Sequence, residues 1–403
     1  MNKLIIKGGK LIFENRVEEG LALVCDKESG KIDSILLEDC VCIDEDDQIL
    51  NAEGHYVSPG FVDIHVHGGG GYDFMDGTLE AFLGAAKMHA IHGTTAMYPT
   101  TLTCTDEELF RAFKVFELAC KSNSTGAHLM GLHLEGPYFN PAYAGAQDPS
   151  YLKNPVPANY LPILNAPGAE CIKRWSVAPE LEGAMEFGKE LERRDILASI
   201  GHTGAIYEEV EEALKNGYSH FTHLYCAMSS ITRRNAFRKA GVLEAAYLLD
   251  DTTVEIIADG VHLPAPLLKY VYKFKGPDKT ALCTDAMRGA GMPDGTYLLG
   301  SKDKGQPVIV EDGVAKLLDR SAFAGSVATT DRLVRTMINM ADVPLVDAVK
   351  MASLVPARIM KIDGTKGSLM VGKDADVIIF DDNINIKYTI ISSKMIYTSC
   401  ETK

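Results

Sequence analysis

The sequence has no long uncharged apolar run, no Cys-x-x-Cys pair and a deficit of basic side chains. A membrane-spanning helix needs about 20 consecutive, mostly apolar residues, and nowhere does the chain provide them. Near the N-terminus the apolar run Leu4–Ile6 stops at Lys7, which is too early for the apolar region of a secretory signal. We therefore expect a soluble cytoplasmic protein that does not associate with a membrane.

The shortage of positive charge limits the partners of the protein. Lys and Arg total 40 against 55 Asp and Glu, which gives a net charge of -15. Nucleic acids and anionic membranes would repel such a chain, so neither is expected as a partner. An anionic substrate would need a local basic pocket.

The cysteines argue against a disulfide framework. There are nine of them, an odd number, and they are scattered along the chain. Such a distribution is typical of reduced thiols in a cytosolic protein, which agrees with the predicted location.

Length and composition favour a folded chain with more than one structural unit. The 403 residues are too many for one ordinary domain, but they fit a (β/α)8 barrel of about 250 residues with a smaller domain. The two ends of the chain supply candidates for that smaller domain. Short apolar runs separated by Gly, Asp and Asn predict strands at Leu4–Ile6, Lys10–Phe13, Leu21–Cys25, Lys31–Leu36, Gln48–Leu50, Val377–Phe380 and Tyr388–Ile391. We predict one small β-sandwich built from residues 1–57 with 366–403.

Between these ends, residues 58–365 alternate strand and helix, which predicts a TIM-like (β/α)8 barrel. Helices are expected between most strands, for example at Leu79–Ile91 and Asp106–Lys121. The eight predicted strands are Phe61–His67, Thr94–Tyr98, His128–Glu135, Trp175–Ala178, Leu197–His202, His220–Leu224, Val254–Ala258 and Thr280–Thr284.

Ionisable side chains follow several of these strands, and active sites of such barrels lie at the carboxyl ends of the strands. The candidates are His65, His67, Glu135, His202, His223, Asp259, His262 and Asp285. A protein core does not habitually place charged groups at the same end of six strands, so we predict a metal site. Nitrogen and carboxylate ligands suit Zn²⁺, Fe²⁺, Mn²⁺ or Co²⁺, and the sequence does not rank these ions. His133 is expected to support the site rather than to bind metal.

Taken together, the motifs resemble the amidohydrolase superfamily and, more narrowly, the N-acetylglucosamine-6-phosphate deacetylases. The resemblance covers nearly the whole chain. It depends on Pro59-Gly60-Phe61-Val62-Asp63-Ile64-His65-Val66-His67-Gly68, His133-Leu134-Glu135-Gly136-Pro137, Gly201-His202-Thr203, Thr222-His223-Leu224-Tyr225, Asp259-Gly260-Val261-His262, Thr284-Asp285-Ala286 and Ala324-Gly325-Ser326.

The resemblance implies roles for individual residues. Glu135, His202 and His223 would bind the metal that holds the hydrolytic water, and Asp285 would act as general base. His262 would contact a sugar hydroxyl, while Arg234 would meet the sugar phosphate from a neighbouring subunit of a homodimer. The implied substrate-binding residues are Ala146, Gln147, Cys226, Ala227, Arg234, Asp259, His262, Phe323, Ala324 and Gly325.

Two features set this chain apart from the usual family pattern. Cys226 replaces the asparagine that helps to hold the phosphate. The usual Arg-Glu-Pro-Gly after this motif is also missing, and the chain instead runs Arg234-Asn235-Ala236-Phe237-Arg238-Lys239-Ala240-Gly241. We expect the basic residues Arg233, Arg238 and Lys239 to compensate, although they could instead form a solvated loop. Relatives that bind one metal carry a histidine where this chain has Gln147. Because His65 and His67 are also present, we predict two ions per chain, bridged by Glu135.

The predicted reaction is removal of the acetyl group from N-acetylglucosamine 6-phosphate or a close N-acetylhexosamine 6-phosphate. A divalent metal activates the water, and Asp285 moves the proton to the departing nitrogen. One alternative is another amidohydrolase that acts on a cyclic amide or an N-acyl amino acid. A second is an inactive binding protein with the same fold, which the intact ligand set disfavours.

Overall fold

The computed structural model describes residues 2–399, which begin with seven short strands. These are β1 (Lys3–Lys7), β2 (Lys10–Ile12), β3 (Val17–Glu18), β4 (Leu21–Asp26), β5 (Lys31–Leu37), β6 (Gln48–Asn51) and β7 (Tyr56–Pro59). Strand β1 pairs with β4 and β6 at the centre of a four-stranded sheet in the order β5-β4-β1-β6. The five strands predicted in this segment are therefore confirmed, and β3 and β7 are additional.

The middle of the chain forms a parallel barrel. Its strands are β8 (Phe61–Val66), β11 (Thr94–Thr101), β13 (Leu132–Glu135), β14 (Ile172–Val177), β15 (Leu197–Ile200), β16 (Tyr218–Phe221), β19 (Thr253–Ile256) and β20 (Thr280–Leu282). Each strand pairs in parallel with the next. The ring closes where the backbone N–H of Asp285 donates to the carbonyl of His65 at 2.8 Å and Val66 bridges to Ala286. The predicted barrel is confirmed.

In the described part of the chain, short strands and seven helices connect the barrel strands, and three further helices follow β20. The remaining strands of this segment are β9 (Gly68–Gly69), β10 (Tyr72–Asp73), β12 (His128–Leu129), β17 (Thr232–Arg234) and β18 (Phe237–Lys239). The helices are α1 (Leu79–Ile91), α2 (Asp106–Ser122), α3 (Pro157–Leu164), α4 (Ala184–Arg193), α5 (Tyr207–Leu214), α6 (Val242–Leu248), α7 (Ala265–Phe274), α8 (Thr330–Ala341), α9 (Leu345–Ala352) and α10 (Leu354–Ile359). Within residues 2–399, none of them is long and apolar enough to cross a bilayer.

Local chemistry explains where the first two helices begin. The Thr78 side chain accepts a hydrogen bond from the backbone N–H of Ala81 at the start of α1. At the start of α2, Thr105 and Glu108 form a reciprocal capping box. Such caps satisfy backbone donors that have no partner inside the helix and contribute about 1 kcal/mol each.

An antiparallel sheet that the sequence analysis did not predict follows the last barrel strand. It consists of β21 (Gly295–Leu299), β22 (Gln306–Glu311), β23 (Val314–Leu317) and β24 (Phe323–Ser326), paired in that order. Its inner face packs Leu299, Val308, Val310 and Ala324 against Met287. The sheet matters for function because both of its edge strands reach the carboxyl end of the barrel.

The C-terminal strands join the N-terminal ones, as predicted. Strands β25 (Val377–Phe380), β26 (Ile386–Ile391) and β27 (Lys394–Thr398) extend a six-stranded sheet in the order β27-β26-β25-β7-β2-β3. A shared apolar core packs this sheet against β5-β4-β1-β6 and includes Leu4, Leu23, Val57, Val377 and Ile390. The exact division of the chain at residues 57/58 and 365/366 stays a prediction.

Candidate metal centre and active-site cavity

Three of the candidate ligands leave the barrel through left-handed backbone conformations. His202, His223 and Asp285 have φ values of 49°, 29° and 47°. Non-glycine residues pay roughly 1–3 kcal/mol for such geometry, and it concentrates at functional sites. These turns also correct the predicted strand ends: β15, β16 and β20 stop before the ligand residues because the chain turns there and aims each side chain into the barrel mouth.

One ligand cluster combines Glu135, His202 and His223, all of them buried. Oε1 of Glu135 lies 3.3 Å from Nε2 of His202 and 3.1 Å from Nε2 of His223. The two imidazole nitrogens are themselves 3.1 Å apart. Three ligand atoms therefore converge on one point at the mouth of the barrel.

A second cluster, also buried, combines His65, His67 and Asp285. Nε2 of His67 lies 3.2 Å from Oδ1 of Asp285, and the Nε2 atoms of His65 and His67 are 3.3 Å apart. The other carboxylate oxygen of Glu135, Oε2, lies 3.3 Å from Nε2 of His67. Glu135 thus contacts both clusters: its Oε1 faces His202 and His223 and also lies 3.4 Å from Nε2 of His65, while its Oε2 faces His67.

The electrostatics of the two clusters favour bound cations. Burial alone would lower the pKa of His65, but the carboxylates, chiefly Asp285 and Glu135, outweigh it and raise that pKa to about 9. Burial would likewise raise the pKa of Glu135, yet the charge of His65 and the hydrogen bonds from His202 and His223 hold it well below its usual range. Without metal, the ring nitrogens that face one another must carry hydrogens to balance the charge of the carboxylates. Divalent ions would balance the same charge and leave those nitrogens free as ligands, so the donor set fits metal binding.

The ring orientation of two ligands is fixed by a contact at Nδ1, the ring nitrogen that faces away from the cluster. Nδ1 of His202 lies 2.9 Å from the carbonyl oxygen of Tyr143, and Nδ1 of His65 lies 2.8 Å from Oε1 of Glu255. Each contact is satisfied when Nδ1 carries the hydrogen, which leaves Nε2 as a lone-pair donor for metal.

The two clusters form the floor of a cavity of about 450 Å³. Most of the predicted substrate-binding residues line it: Ala146, Gln147, Cys226, Ala227, His262, Phe323 and Gly325. Asp259 lies behind this lining, and its Oδ2 accepts a 2.8 Å hydrogen bond from Nδ1 of His262. Ala324 is buried beneath the wall and does not line the cavity. The unpredicted sheet supplies Leu299 and Phe323 to the wall.

Comparison with known proteins identifies the family. The model of the amidohydrolase family matches residues 56–396. This chain belongs to the amidohydrolase family. Membership, together with the two ligand clusters, makes it a metal-dependent hydrolase.

Several relatives of this amidohydrolase carry a narrower name. An N-acetylglucosamine-6-phosphate deacetylase from Lysinibacillus sphaericus is 34% identical over 86% of this chain and 87% of its own length. An N-acetylgalactosamine-6-phosphate deacetylase from Escherichia coli O157:H7 is 31% identical over 86% of this chain and 89% of its own. The crystal structure of N-acetylglucosamine-6-phosphate deacetylase from Pasteurella multocida is similar with a TM-score of 0.89 and 26% identity, covering 98% of this chain and 99% of that one.

Gln147 of this amidohydrolase connects the metal floor to the cavity wall. Its Nε2 donates to Oε2 of Glu135 at 2.6 Å, and its Oε1 accepts from the backbone N–H of Thr103 at 2.9 Å. The amide therefore holds the bridging carboxylate from the substrate side. It is already engaged in hydrogen bonds, which agrees with the expectation that it cannot act as a cationic donor.

Arg234 does not reach the cavity of its own chain. It lies on the exposed hairpin of β17 and β18, where its guanidinium is 3.4 Å from the carboxylate of Glu209. Lys239 on the same hairpin pairs with Glu208 at 2.6 Å. Among residues 2–399, no lysine or arginine lines the cavity. Within one chain, the expected compensation by basic residues of this hairpin is therefore absent.

Two charged residues that support the site were not predicted from the sequence. Arg174 in β14 and Glu255 in β19 are fully buried inside the barrel. A charged residue in the middle of a strand that is buried on both faces is an available signal, since such residues need a specific partner. His133 takes the supporting position expected of it, with Nε2 2.7 Å from Oγ of Ser176 and its ring edge-on to His65.

Proposed function

We propose that this amidohydrolase removes the acetyl group from N-acetylglucosamine 6-phosphate, or from a close N-acetylhexosamine 6-phosphate, and releases acetate and the amino sugar phosphate. The observation that carries the proposal is the pair of buried ligand clusters joined by Glu135 beneath a sugar-sized cavity. The names of the relatives at 34% and 31% identity support the substrate class, and they differ in the hexosamine.

Two ions per chain, drawn from Zn, Fe, Mn or Co, would be held by the clusters. Glu135, His202 and His223 would hold one ion, and His65 and His67 would hold the other, with Asp285 beside it. Such an ion lowers the pKa of a bound water to around 7 and polarises a carbonyl oxygen.

Asp285 performs the proton transfers in this proposal. Burial would raise its pKa, but the charge of His65 and the hydrogen bond from His67 lower it, so the carboxylate is free to accept a proton at neutral pH. It takes the proton of the attacking water and returns it to the amide nitrogen as the C–N bond breaks. The carboxylate lines the cavity, so a substrate bound there would lie next to it.

The wall of the cavity would orient the sugar. Asp259 fixes His262 through three contacts: two with backbone N–H groups, of Val261 and His262, and one with the imidazole. The Nδ1 hydrogen is then engaged, and Nε2 is left for a sugar hydroxyl. The ring of Phe323, with its centroid 4.6 Å from that of His262, provides an apolar surface for the sugar face.

The phosphate would be bound by Arg234 of a second copy in a homodimer. Two observations support this assembly: the cavity lining described here lacks a cation, and the hairpin that carries Arg234 exposes Ile231 and Phe237, at 64% and 76%. Large apolar side chains exposed together mark protein contact surfaces. The eight described cysteines are free thiols, which supports a cytoplasmic location.

A second candidate is an amidohydrolase for an uncharged N-acyl substrate, and the cavity lining favours it in one respect. Burial raises the pKa of the Cys226 thiol, so the side chain at the expected asparagine position is a neutral, weak donor. Without a cation from a second chain, a cavity of this kind would prefer a substrate without phosphate.

An acetate-release screen separates the two candidates. Purified enzyme is offered N-acetylglucosamine, N-acetylgalactosamine and N-acetylmannosamine, each with and without a 6-phosphate, together with N-acetyl amino acids. The proposal expects the highest kcat/KM on a 6-phosphate sugar, and the ranking of the phosphorylated sugars identifies the hexosamine. Faster turnover of an unphosphorylated or non-sugar substrate would contradict it.

A further inference from the structure

A buried ion pair lies beside the two ligand clusters, on two barrel strands that supply no member of either cluster. Arg174 of β14 donates to both carboxylate oxygens of Glu255 of β19, at 2.5 and 2.8 Å. Neither side chain is accessible to solvent. The remaining donors of Arg174 go to Ser199, Thr222 and the carbonyl of Ile64.

Glu255 contacts one ligand from each cluster. Its Oε1 lies 2.8 Å from Nδ1 of His65, and it also accepts the backbone N–H of His223 at 3.1 Å. The backbone carbonyl of Glu255 accepts the N–H of Leu224 at 2.8 Å, on the other side of His223. A single carboxylate therefore holds the ring of His65 and the strained backbone turn at His223.

Arg174 reinforces both of these contacts from the neighbouring residues. It binds the carbonyl of Ile64, which precedes His65, and the hydroxyl of Thr222, which precedes His223. The pair thus forms hydrogen bonds at two ligand positions, His65 and His223, that are far apart in the sequence.

Stability alone is a poor explanation for this pair. Removing two charges from water costs several kcal/mol per ion, and well-packed apolar replacements of a buried ion pair are often neutral or stabilising. A carboxylate on the outer nitrogen of a metal-binding histidine, by contrast, fixes the tautomer and makes the inner nitrogen a stronger ligand. The same carboxylate at His223 keeps a left-handed residue in place.

We propose that Glu255, held by Arg174, is a positioning residue that fixes His65 with its hydrogen on Nδ1 and sets the backbone at His223, and thereby controls metal affinity at both clusters. This inference rests on the proposed metal binding. It assigns the ion pair a role in ligand orientation that is separate from the barrel's folding.

The test replaces the pair with apolar side chains of similar volume. The full-length Arg174→Met/Glu255→Leu variant and the unchanged enzyme are equilibrated with Zn²⁺ against graded chelator, and bound zinc is measured by mass spectrometry. We expect zinc affinity to fall about 10- to 100-fold, the usual cost of losing a partner of a metal-bound histidine. The melting temperature of the metal-free variant is measured in parallel, and the zinc affinities are compared at a temperature where both metal-free chains are folded.

Ser199→Ala is the matched control because it removes a hydrogen bond to Arg174 and leaves the contacts of Glu255 intact. Its zinc affinity should remain within about two-fold of the unchanged enzyme. If the double variant also retains its affinity, the pair is structural and the proposal is wrong. If the unchanged enzyme binds none of Zn²⁺, Fe²⁺, Mn²⁺ and Co²⁺, the proposed function fails instead.

A measurement on the unchanged protein covers the case in which the double variant does not fold. Nitrogen-15 NMR of the zinc-loaded chain, with His65 assigned through a His65→Asn spectrum, reports which ring nitrogen carries hydrogen. We expect hydrogen on Nδ1 and zinc on Nε2. The opposite arrangement would remove Glu255 from the role proposed here.

Discussion

The floor of the cavity, which consists of the two ligand clusters, differs in construction from its rim, which consists of the wall residues around the opening, such as Cys226, His262 and Phe323. On the floor every candidate ligand is buried, and His65, His202 and Glu135 each have a further partner that orients them. On the rim, Phe323 is 40% exposed, and the hairpin that carries Arg234 lies outside the cavity. The floor is therefore complete within one chain, whereas the rim depends on loops and, in our proposal, on a second copy.

This difference separates the chemistry from the choice of substrate. A preorganised site loses activity when one of its groups moves, because its geometry is fixed before the substrate binds. Exposed residues around the opening tolerate substitution, and such substitutions change the affinity for only part of the substrate. Changes on the floor should therefore lower kcat by large factors, and changes on the rim should alter KM by smaller ones.

Metal removal should have the largest effect. Dialysis against a strong chelator is expected to abolish acetate release, and divalent metal should restore it. The fully active enzyme should contain two ions per chain, measured by elemental analysis. His67→Gln, which removes one ligand of a single cluster, should lower the content towards one. One ion per chain in the fully active enzyme would contradict the two-metal site.

Replacement of Asp285, the proposed proton shuttle, should have the second largest effect on activity. Asp285→Asn keeps the size and polarity of the side chain but cannot accept a proton, so kcat should fall at least about 10²-fold. KM should change little, and elemental analysis should show metal still bound. Asp259→Asn makes the same chemical change behind the cavity wall and should act mainly on KM, through His262. Near-normal kcat in the Asp285 variant would exclude this residue from the mechanism.

The barrel was predictable because its signals are local and repeated. Helix α1 was predicted and found at Leu79–Ile91, where the apolar spacing and the Thr78 cap agree. The sheet of β21 to β24 was missed because its strands follow one another without intervening helices. The barrel was predicted from an alternation of strand and helix, and this segment does not show that alternation. Its strands alternate exposed and buried residues, as in β22, and this pattern was available.

The floor of the site was also predictable, since the carboxyl ends of parallel strands meet at one end of a barrel. The clusters His65/His67/Asp285 and Glu135/His202/His223 came together without exception. Arg174 and Glu255 were missed because they lie within strands, whereas site residues were expected only at the carboxyl ends of strands. The role of Arg234 could not follow from one sequence, because in our proposal it depends on how two copies meet.

Replacement of Arg234 should have an intermediate effect, and it should raise KM only for substrates that carry a 6-phosphate. Arg234→Ala is expected to raise KM for the 6-phosphate substrate ten-fold or more, since a hydrogen bond to a charged group contributes about 1.5–3 kcal/mol. An unphosphorylated N-acetyl sugar should be nearly unaffected. Steady-state kinetics on the two substrates measure the difference.

Arg238→Ala is the control for general loss of charge, because Arg238 lies on the same exposed hairpin, opposite Arg233. It should change KM much less than Arg234→Ala. Mixing Arg234→Ala chains with Asp285→Asn chains adds a test of the dimer: hybrid dimers should recover a site with both Asp285 and a partner arginine. Equal losses on both substrates would show that Arg234 does not bind phosphate.

The smallest effect is expected at Cys226. Its thiol lines the cavity where an asparagine would place an amide, and burial keeps the thiol neutral. If Arg234 of a second copy already pairs with the phosphate, Cys226→Asn adds at most one hydrogen bond to a charge that is already partly balanced, so the gain should be smaller than for an unpaired charge. Such a bond contributes about 0.5–1.5 kcal/mol, so KM for the 6-phosphate substrate should fall by only about two- to ten-fold.

The size of that fall shows how complete the rim is. A change near two-fold, with kcat preserved, means that the phosphate is already well held and that the cysteine is a tolerated substitution. A fall far beyond ten-fold would mean that the natural rim holds phosphate poorly, and it would favour an unphosphorylated substrate. Combining Cys226→Asn with Arg234→Ala distinguishes these cases, because two groups that bind the same phosphate should show non-additive effects on KM.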